Sequence, residues 1–362
     1  MSRYDNTFFL LSLALLVAGL FILYSASIGI SISKFGHPYY FLSHQILYGV
    51  IPGIILFYFS LKIPYHFWQK FSLPIMFFSI VLMFLVFIPN VGFYHGGARR
   101  WISLGPIFFQ PAEILKFAYI VYLASWFDSK SKHLNSFKLG FLPFGIMSAF
   151  IASFLVLQPD IGTLGTLIVS AIALFFLSGG RISHIGLLTL IGMIILGILV
   201  FFEPYRLNRI SVFFDPSYDL QGIGYQMNQA MIAIGSGGIF GRGLGLSQQK
   251  FSFLPEPVGD SVFAIFAEEM GFLGSIFILV LFLAFFWRGL EIAKQAPDLF
   301  AKLLASGFLF LIIFQAFINI AAISGLLPLT GIPLSFVSYG GSALAIMIME
   351  IGIILNISRR KL

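Results

Sequence analysis

Runs of about twenty apolar residues, broken by short polar segments, recur along the whole chain. Ten can be delimited, near residues 7–25, 42–61, 72–88, 110–127, 139–157, 161–178, 184–202, 261–287, 301–324 and 336–356. Each is long enough, or nearly so, to cross the hydrocarbon core of a bilayer as a helix. The pattern predicts an all-α polytopic membrane protein with ten transmembrane helices, forming a single integral membrane domain over 1–362. The first run lacks a strongly basic segment before it and a small-residue cleavage site after it. It reads as a retained span rather than a removed signal peptide.

An even number of spans places both ends of the chain on one side, and the basic residues select that side. With cytoplasmic ends, the inner segments hold Arg3, Lys62, Lys70, Lys130, Lys132, Lys138, Arg181, Arg288, Lys294, Lys302, Arg359, Arg360 and Lys361. The outer segments hold Lys34, Arg99, Arg100, Arg206, Arg209, Arg242 and Lys250, four of them in one long loop. Cytoplasmic loops carry the excess of lysine and arginine. Both termini are therefore expected in the cytoplasm, with a large extracytoplasmic loop, about 203–260, between helices 7 and 8. Composition agrees: only 10% of residues are charged and 59% are hydrophobic, against about a quarter charged in soluble domains. The net charge of +7 is then mostly a topology signal, and no nucleic-acid partner is expected. The chain has no cysteine, which excludes disulfides, thiolate metal sites and cysteine nucleophiles.

Four outer segments, 89–109, 157–161, 203–260 and 325–335, hold nearly all the unusual sequence. Chemistry is expected there, on a face where no ATP is available. The glycine-rich GSGGIFGRGLGLS (235–247) does not have the G-x-G-x-x-G spacing. Its glycines suit tight turns and close backbone packing, and no nucleotide cofactor is expected. His37, His44, His66, His95, His133 and His184 have no ligand spacing for zinc, and no serine lies in a nucleophile elbow.

Arg99 and Arg100 stand beside Trp101, an arrangement suited either to anchoring at headgroup depth or to a bidentate grip on phosphate. Glu113 and Lys116, at i and i+3 on one helix face, form a natural ion pair at membrane depth; Lys116 could also lend positive potential to a site above it. Asp160, after Pro159, is placed to cap the following helix, with a role as a hard oxygen ligand for magnesium or manganese left open. The loop 203–260 is too long for a plain connector. It repeats the basic, aromatic-flanked theme at Arg206 and Arg209, and GYQMNQAMIAIGSGG (224–238) predicts a short amphipathic helix at the interface.

The stretch LPEPVGDSVFAIFAEEMGFLGS (254–275) concentrates the carboxylates. Asp260 stands at the mouth of the eighth span, in a segment stiffened by Pro255 and Pro257. It can cap that helix, or it can serve as a general base, which must be ionised, oriented and close to an incoming hydroxyl. Glu268 and Glu269 lie about 12 Å deeper by helical rise and face different directions; one is expected in a buried polar network or protonated. Glu350, the lone charge in the last span, reads the same way.

The blocks GARRWISLG, FQPAEILK, QPDIGT, RISVFFDP, GYQMNQAMIAIGSGGIFGRGLG, LPEPVGDSVFAIFAEEMGFLG and GLLPLTGIPLSFVSYGGS, in this order, resemble the SEDS family of bacterial peptidoglycan polymerases over almost the whole chain. GYQMNQAMIAIGSGG, LGLSQQKFSFLPE and the closing LNISRR are closer to the division type, FtsW, than to the elongation type, RodA. The resemblance implies inverting glycosyl transfer on Lipid II, with release of undecaprenyl pyrophosphate, at the outer face of the cytoplasmic membrane. It implies Asp260 as base, and Arg99, Arg100, Lys116, Arg209, Lys250 and Glu256 as the substrate-binding set. Glu113, Asp160, Gln226, Glu268, Glu269 and Ser338 become supporting residues. A divalent cation, Mg or Mn, could share the charge of the pyrophosphate. Expected partners are a class B penicillin-binding protein and other membrane proteins of the division or elongation complex. Two departures stand out: the family has Thr-Asp-Phe where this chain has Gly259, Asp260 and Ser261, and proline where it has Ser335. A Lipid II flippase would use many of the same arginines, but predicts a midplane site and broken helices. A non-catalytic scaffold would leave Asp260 without a task.

Overall fold

The computed structural model describes residues 4–89, 91–95, 98–104, 107–215, 218–219, 222–251 and 253–359. Arg3, Arg360 and Lys361 of the charge pattern, and Gly97, Gly105 and Pro216 of the matching blocks, lie outside the described residues. In chain order the helices are α1 (Asn6–Phe35), α2 (Tyr40–Lys62), α3 (Ser72–Leu85), α4 (Pro111–Ser129), α5 (Phe137–Leu157), α6 (Ile161–Leu177) and α7 (Ile182–Phe201). They continue with α8 (Pro204–Phe214), α9 (Ile223–Gly237), α10 (Val262–Lys294), α11 (Leu299–Ile323) and α12 (Gly341–Ser358).

A helix thus covers each predicted span, and α8 and α9 occupy the long loop. Seven helices, α1, α2, α5, α7, α10, α11 and α12, are long and apolar enough to cross a membrane. The apolar α3 and α6 are shorter, and α4 carries Glu113, Lys116 and Asp128. The protein is a polytopic helical membrane protein.

The start of α1 and the end of α12 lie on one face. Asp5 caps α1 by accepting from the Phe8 N–H at 3.0 Å, and its carboxylate pairs with Arg288 near the end of α10 at 2.9 Å. Its own N–H donates to Ser358 Oγ at the end of α12 at 3.1 Å. Tyr65 and Asp298, joined at 2.6 Å, bring the α2–α3 and α10–α11 connections together.

The last two spans, α11 and α12, are buried on nearly all sides, whereas α7 buries almost nothing within the chain. A helix apolar around its whole circumference suits the centre of a bundle or contact with lipid; the polar Gln315 and Asn319 on α11, both buried, mark the former. The α2–α12 seam is a close one: a Cβ at Gly49 would stand 3.2 Å from the Gly341 Cα, and one at Gly53 only 2.7 Å from Ile348. Glycines four apart allow such approach between membrane helices.

Three features depart from the sequence expectation. The segment before α4 folds as a three-stranded antiparallel sheet, β1 (Gly92–His95), β2 (Ala98–Leu104) and β3 (Ile107–Phe109), in the order β1-β2-β3. The pattern is short, and a bulge between Phe93 and Tyr94 interrupts it. The last span begins at Gly341 rather than near 336, because the Ser338 hydroxyl accepts from the Leu334 N–H at 2.7 Å and closes a turn there. Finally, α10 is broken at Gly271, whose φ is 66°.

The glycine-rich segment fills that break. The N–H groups of Arg242 and Gly243 donate to the carbonyls of Glu268 and Glu269, each at 3.0 Å, while Phe272 and Leu273 donate back to Gly238 and Ile239 at 2.9 and 3.2 Å. Backbone polar groups released by a broken membrane helix need partners within the protein, and this loop supplies them. Close approach explains the glycines: a Cβ at Gly241 would lie 2.1 Å from the Glu269 carbonyl oxygen. The amphipathic α9 packs its Met227, Ala230 and Ala233 face into the protein, with Gly237 against the Ala267 carbonyl of α10.

Candidate active site

The site is assembled where the end of the long loop, the α11–α12 connection and the start of α6 meet. Asp260 is half-buried. Its carboxylate accepts from Gln226 Nε2 of α9 at 3.2 Å, and Gln226 also donates to Ser261 Oγ at 3.0 Å. The N-cap position of α10 belongs to Ser261, with no side-chain cap bond. Asp260 is therefore not spent on capping the helix it precedes.

Its backbone is fixed from three sides. Ser338 Oγ donates to the Gly259 carbonyl at 2.6 Å, the Tyr339 N–H to Val258 O at 2.8 Å, and Asn319 Nδ2 to Asp260 O at 2.8 Å. Beside the carboxylate lies Arg209 of α8, whose Nη1 donates to the Leu329 carbonyl at 2.7 Å. Gly331, with φ of 70°, keeps the space between them open. A Cβ there would stand 3.6 Å from Arg209 Nη2 and 3.9 Å from Asp260 Oδ2.

Burial pushes the Asp260 carboxyl up to about 6, and the neighbouring charge of Glu256 adds to the rise. The Arg209 guanidinium and the Gln226 amide oppose it. Glu256 itself is exposed. Its backbone adopts φ of 49°, uncommon for a residue with a Cβ, and its carbonyl accepts from the Gly259 and Ser261 N–H groups at 3.0 and 3.3 Å. This tight turn presents Asp260.

The QPDIGT turn supports the site from behind. Asp160 caps α6, accepting from the Thr163 N–H at 3.1 Å and its hydroxyl at 2.9 Å. One turn in, Gly162 lets the 330–332 turn approach: a Cβ would lie 2.9 Å from Thr330 O. Arg100 on β2 donates from Nε to the Gln158 carbonyl at 3.0 Å and from Nη2 to that of Pro159. Arg100 thus ties the sheet to this turn, while Arg99, the next residue of the strand, is exposed.

Two residues expected to bind substrate are placed elsewhere. Lys250 is fully buried and pairs with Glu269 at 2.7 Å; Ser25 of α1 donates to the same carboxylate at 2.5 Å. Lys116 is buried against Glu113 at 2.9 Å and donates to Gln315 Oε1 at 2.7 Å. Both ammonium groups are thus buried in ion pairs, where removing one partner would leave the other charge uncompensated. Lys116 connects to the site through Gln315, whose Nε2 holds the Pro333 carbonyl at 3.1 Å. Glu268 accepts from Ser247 Oγ at 2.5 Å and from the Gln248 and Gln249 N–H groups at 3.1 and 3.3 Å. Both acids of the pair thereby hold the end of the long loop.

Both departures from the family pattern are accommodated by hydroxyl groups. Ser261 supplies the acceptor for Gln226, and Ser335 donates to Ile312 O at 3.0 Å. Sequence reasoning missed Asn319, Gly331, Gln315 and Gln45, whose Oε1 accepts from the Gly340 N–H at 2.9 Å. The available signal was Gln315 and Asn319 at i and i+4 on one face of an otherwise apolar span, since amides inside membranes bond across helices. Among the described residues, no group of three or more His, Asp or Glu is gathered for a metal ion.

A family model, FtsW/RodA/SpoVE, described as "Cell cycle protein", matches residues 5–362. Stage V sporulation protein E of Bacillus subtilis (strain 168) is 42% identical over 98% of this chain and 97% of its own. The probable peptidoglycan glycosyltransferase FtsW of Geobacter sp. (strain M18) is 37% identical over 99% of this chain and 97% of its own. Among solved structures, a chain of a peptidoglycan synthase complex that coordinates polymerization and crosslinking superposes with a TM-score of 0.79 at 25% identity, covering 99% of this chain and 98% of that one. The rod shape determining protein RodA of Thermus thermophilus gives 0.70 at 25% identity, covering 99% and 97%.

Proposed function

The chain belongs to the FtsW/RodA/SpoVE family, and from that premise we propose that it polymerises Lipid II into glycan strands at the outer face of the cytoplasmic membrane. The reaction is an inverting glycosyl transfer. The acceptor sugar hydroxyl forms a bond to the donor anomeric carbon as the bond from that carbon to the pyrophosphate oxygen breaks. The hydroxyl proton passes to Asp260, and undecaprenyl pyrophosphate departs with the bonding electrons. A base whose pKa lies near the working pH is both ionised and able to accept a proton, which suits the value of about 6 at Asp260.

Arg209 is the cation best placed to steady charge developing on the pyrophosphate, with the exposed Arg99 farther out along β2. The observation that carries this reading is the position of Gly331, where a Cβ would lie 3.6 Å from the Arg209 guanidinium and 3.9 Å from the Asp260 carboxylate, so that both groups flank one point. A divalent cation finds no gathered set of carboxylates among the described residues and would enter only bound to the pyrophosphate oxygens of the substrate, a common arrangement for magnesium. Such an ion would neutralise charge on the leaving group.

In this reading the protein crosses the membrane ten times with cytoplasmic ends, and it works in the division septum with a class B penicillin-binding protein that crosslinks its product. A flippase reading takes support from the break in α10, but that break is filled by loop backbone rather than left open for a substrate.

The test is polymerisation of Lipid II by purified protein with its transpeptidase partner. Asp260→Ala should abolish product while leaving the protein folded, and wild-type activity should fall as pH drops through about 6, because protonation removes the base. Normal glycan from Asp260→Ala would overturn the base assignment. Loss of Lipid II translocation with polymerisation intact would favour the flippase.

A further inference from the structure

We propose, on the footing that Asp260 is the base, that Asn319 is a positioning residue: with the turn Leu329–Ile332 it sets the separation between the Asp260 carboxylate and the Arg209 guanidinium. Asn319 lies on α11, 2% exposed, and touches neither carboxylate nor guanidinium through any hydrogen bond. Its two amide hydrogens go to two different segments, one to Asp260 O at 2.8 Å and one to Ile332 O at 2.7 Å. The same turn, three residues earlier, holds Arg209 through the Leu329 carbonyl at 2.7 Å. One short piece of backbone therefore tethers both groups.

The turn has little freedom to shift. Behind it, Gly162 of α6 leaves room for no more than a hydrogen: a Cβ there would meet Ile332 Cγ1 at 2.5 Å. In front, Gly331 faces Arg209 and Asp260 with a left-handed φ of 70°. The adjoining Pro333 carbonyl is held by Gln315 Nε2 at 3.1 Å.

The amide of Asn319 is oriented by these contacts, because reversing it would set its oxygen against two carbonyl oxygens. In the orientation adopted, Oδ1 is buried with no hydrogen-bond partner among the described residues. A buried unpaired acceptor is unfavourable, so a residue serving only to fill this space would be better as leucine. What asparagine adds is a pair of donors at a fixed spacing, joining the base to the turn that holds the cation. Burial acts first on the protonation of Asp260, and the neighbouring groups that act with it are Glu256, Arg209 and Gln226; of these, Arg209 is the one tethered by that turn.

The test is steady-state polymerisation of Lipid II against pH by the full-length protein with its transpeptidase partner. Asn319→Ala should lower kcat roughly ten- to a hundredfold, as loss of registration between reacting groups does, with KM for Lipid II nearly unchanged. The acid limb of the kcat profile should move to higher pH, because a carboxylate farther from its guanidinium binds its proton more tightly. Gly331→Ala, which disturbs the same gap with Asn319 intact, should move the limb the same way, and the double variant should lose less than the product of the single effects. Asn356 provides the control. It is buried on α12 with an equally unpaired Oδ1 and donates to Leu61 O at 2.7 Å, toward the opposite end of the bundle. Asn356→Ala should lower the melting temperature without moving the pH limb.

If Asn319→Ala is not recovered folded, Asn319→Ser, which keeps one donor, carries the same expected direction. A folded Asn319 variant with the wild-type acid limb, or with raised KM and unchanged kcat, overturns the positioning role. Asp260→Ala run in parallel separates the two ideas. A dead Asp260→Ala beside a normal Asn319→Ala rejects only the positioning, whereas an active Asp260→Ala rejects the base itself.

Discussion

Asp260 and Lys250 are ten residues apart in the chain and carry opposite lessons about charge in an apolar protein. Lys250 is wholly buried, and its ammonium is matched by Glu269. Breaking such a pair from one side leaves the other charge uncompensated, at a cost of about 3–5 kcal/mol. Lys250→Met should therefore destabilise the protein strongly, and adding Glu269→Gln should recover most of the loss; thermal melts in detergent would show both. Asp260, by contrast, keeps partial access to solvent and is held by an amide and the field of a guanidinium rather than by a closed ion pair. That difference separates a structural charge from one able to exchange a proton. It was not legible in the sequence, where both residues are charges beside the same span. Burial and partner choice depend on how α1 and α10 close over the 247–250 segment, and spacing along the chain does not encode that.

At the scale of elements, the broken α10 and the glycine-rich segment are one construction. The absence of a nucleotide-loop spacing and the tight-packing reading of its glycines were legible from the chain. The break at Gly271 was not, since the segment reads as one long helical span with Glu268 and Glu269 inside it. The glycines are not equivalent. Gly241, with φ of 81°, has no room beside the Glu269 carbonyl, whereas Gly235 of α9 has nothing within 4 Å of its missing Cβ. Gly241→Ala should open the splice and lower the melting temperature markedly. Gly235→Ala should be neutral or stabilising by about 0.5–1 kcal/mol, as helical glycine replaced by alanine is. Equal losses from both would mean that the segment is held by something other than backbone contact. The sheet β1–β3 was missed for a related reason: three short strands with a bulge give little periodicity, and their pairing exists only once the segment folds back on itself.

For the whole molecule, the absence of cysteine makes the ten-crossing topology directly testable. Tyr218→Cys, in the long loop and exposed, should react with a membrane-impermeant maleimide added to intact cells or spheroplasts. Lys132→Cys, between α4 and α5 and also exposed, should react only after permeabilisation. Labelling of both from outside would overturn the assignment of sides. Hydrophobic runs and the skew of basic residues by themselves determined the class of protein, the places of its helices and the expectation that its ends share a face, because transfer of apolar helices into lipid is a property of each segment alone. The order of motif blocks determined the family. Tertiary structure alone decided which charges are buried in pairs and which lie beside Asp260. It buried Lys116 and Lys250, set Arg209 and Asp260 on either side of Gly331, and tied Asp260 through Asn319 to the turn that holds Arg209. Those choices arise from contacts between segments as far as 244 residues apart in the chain, where a hydrogen bond or a buried pair depends on ångström-scale placement that no local pattern records.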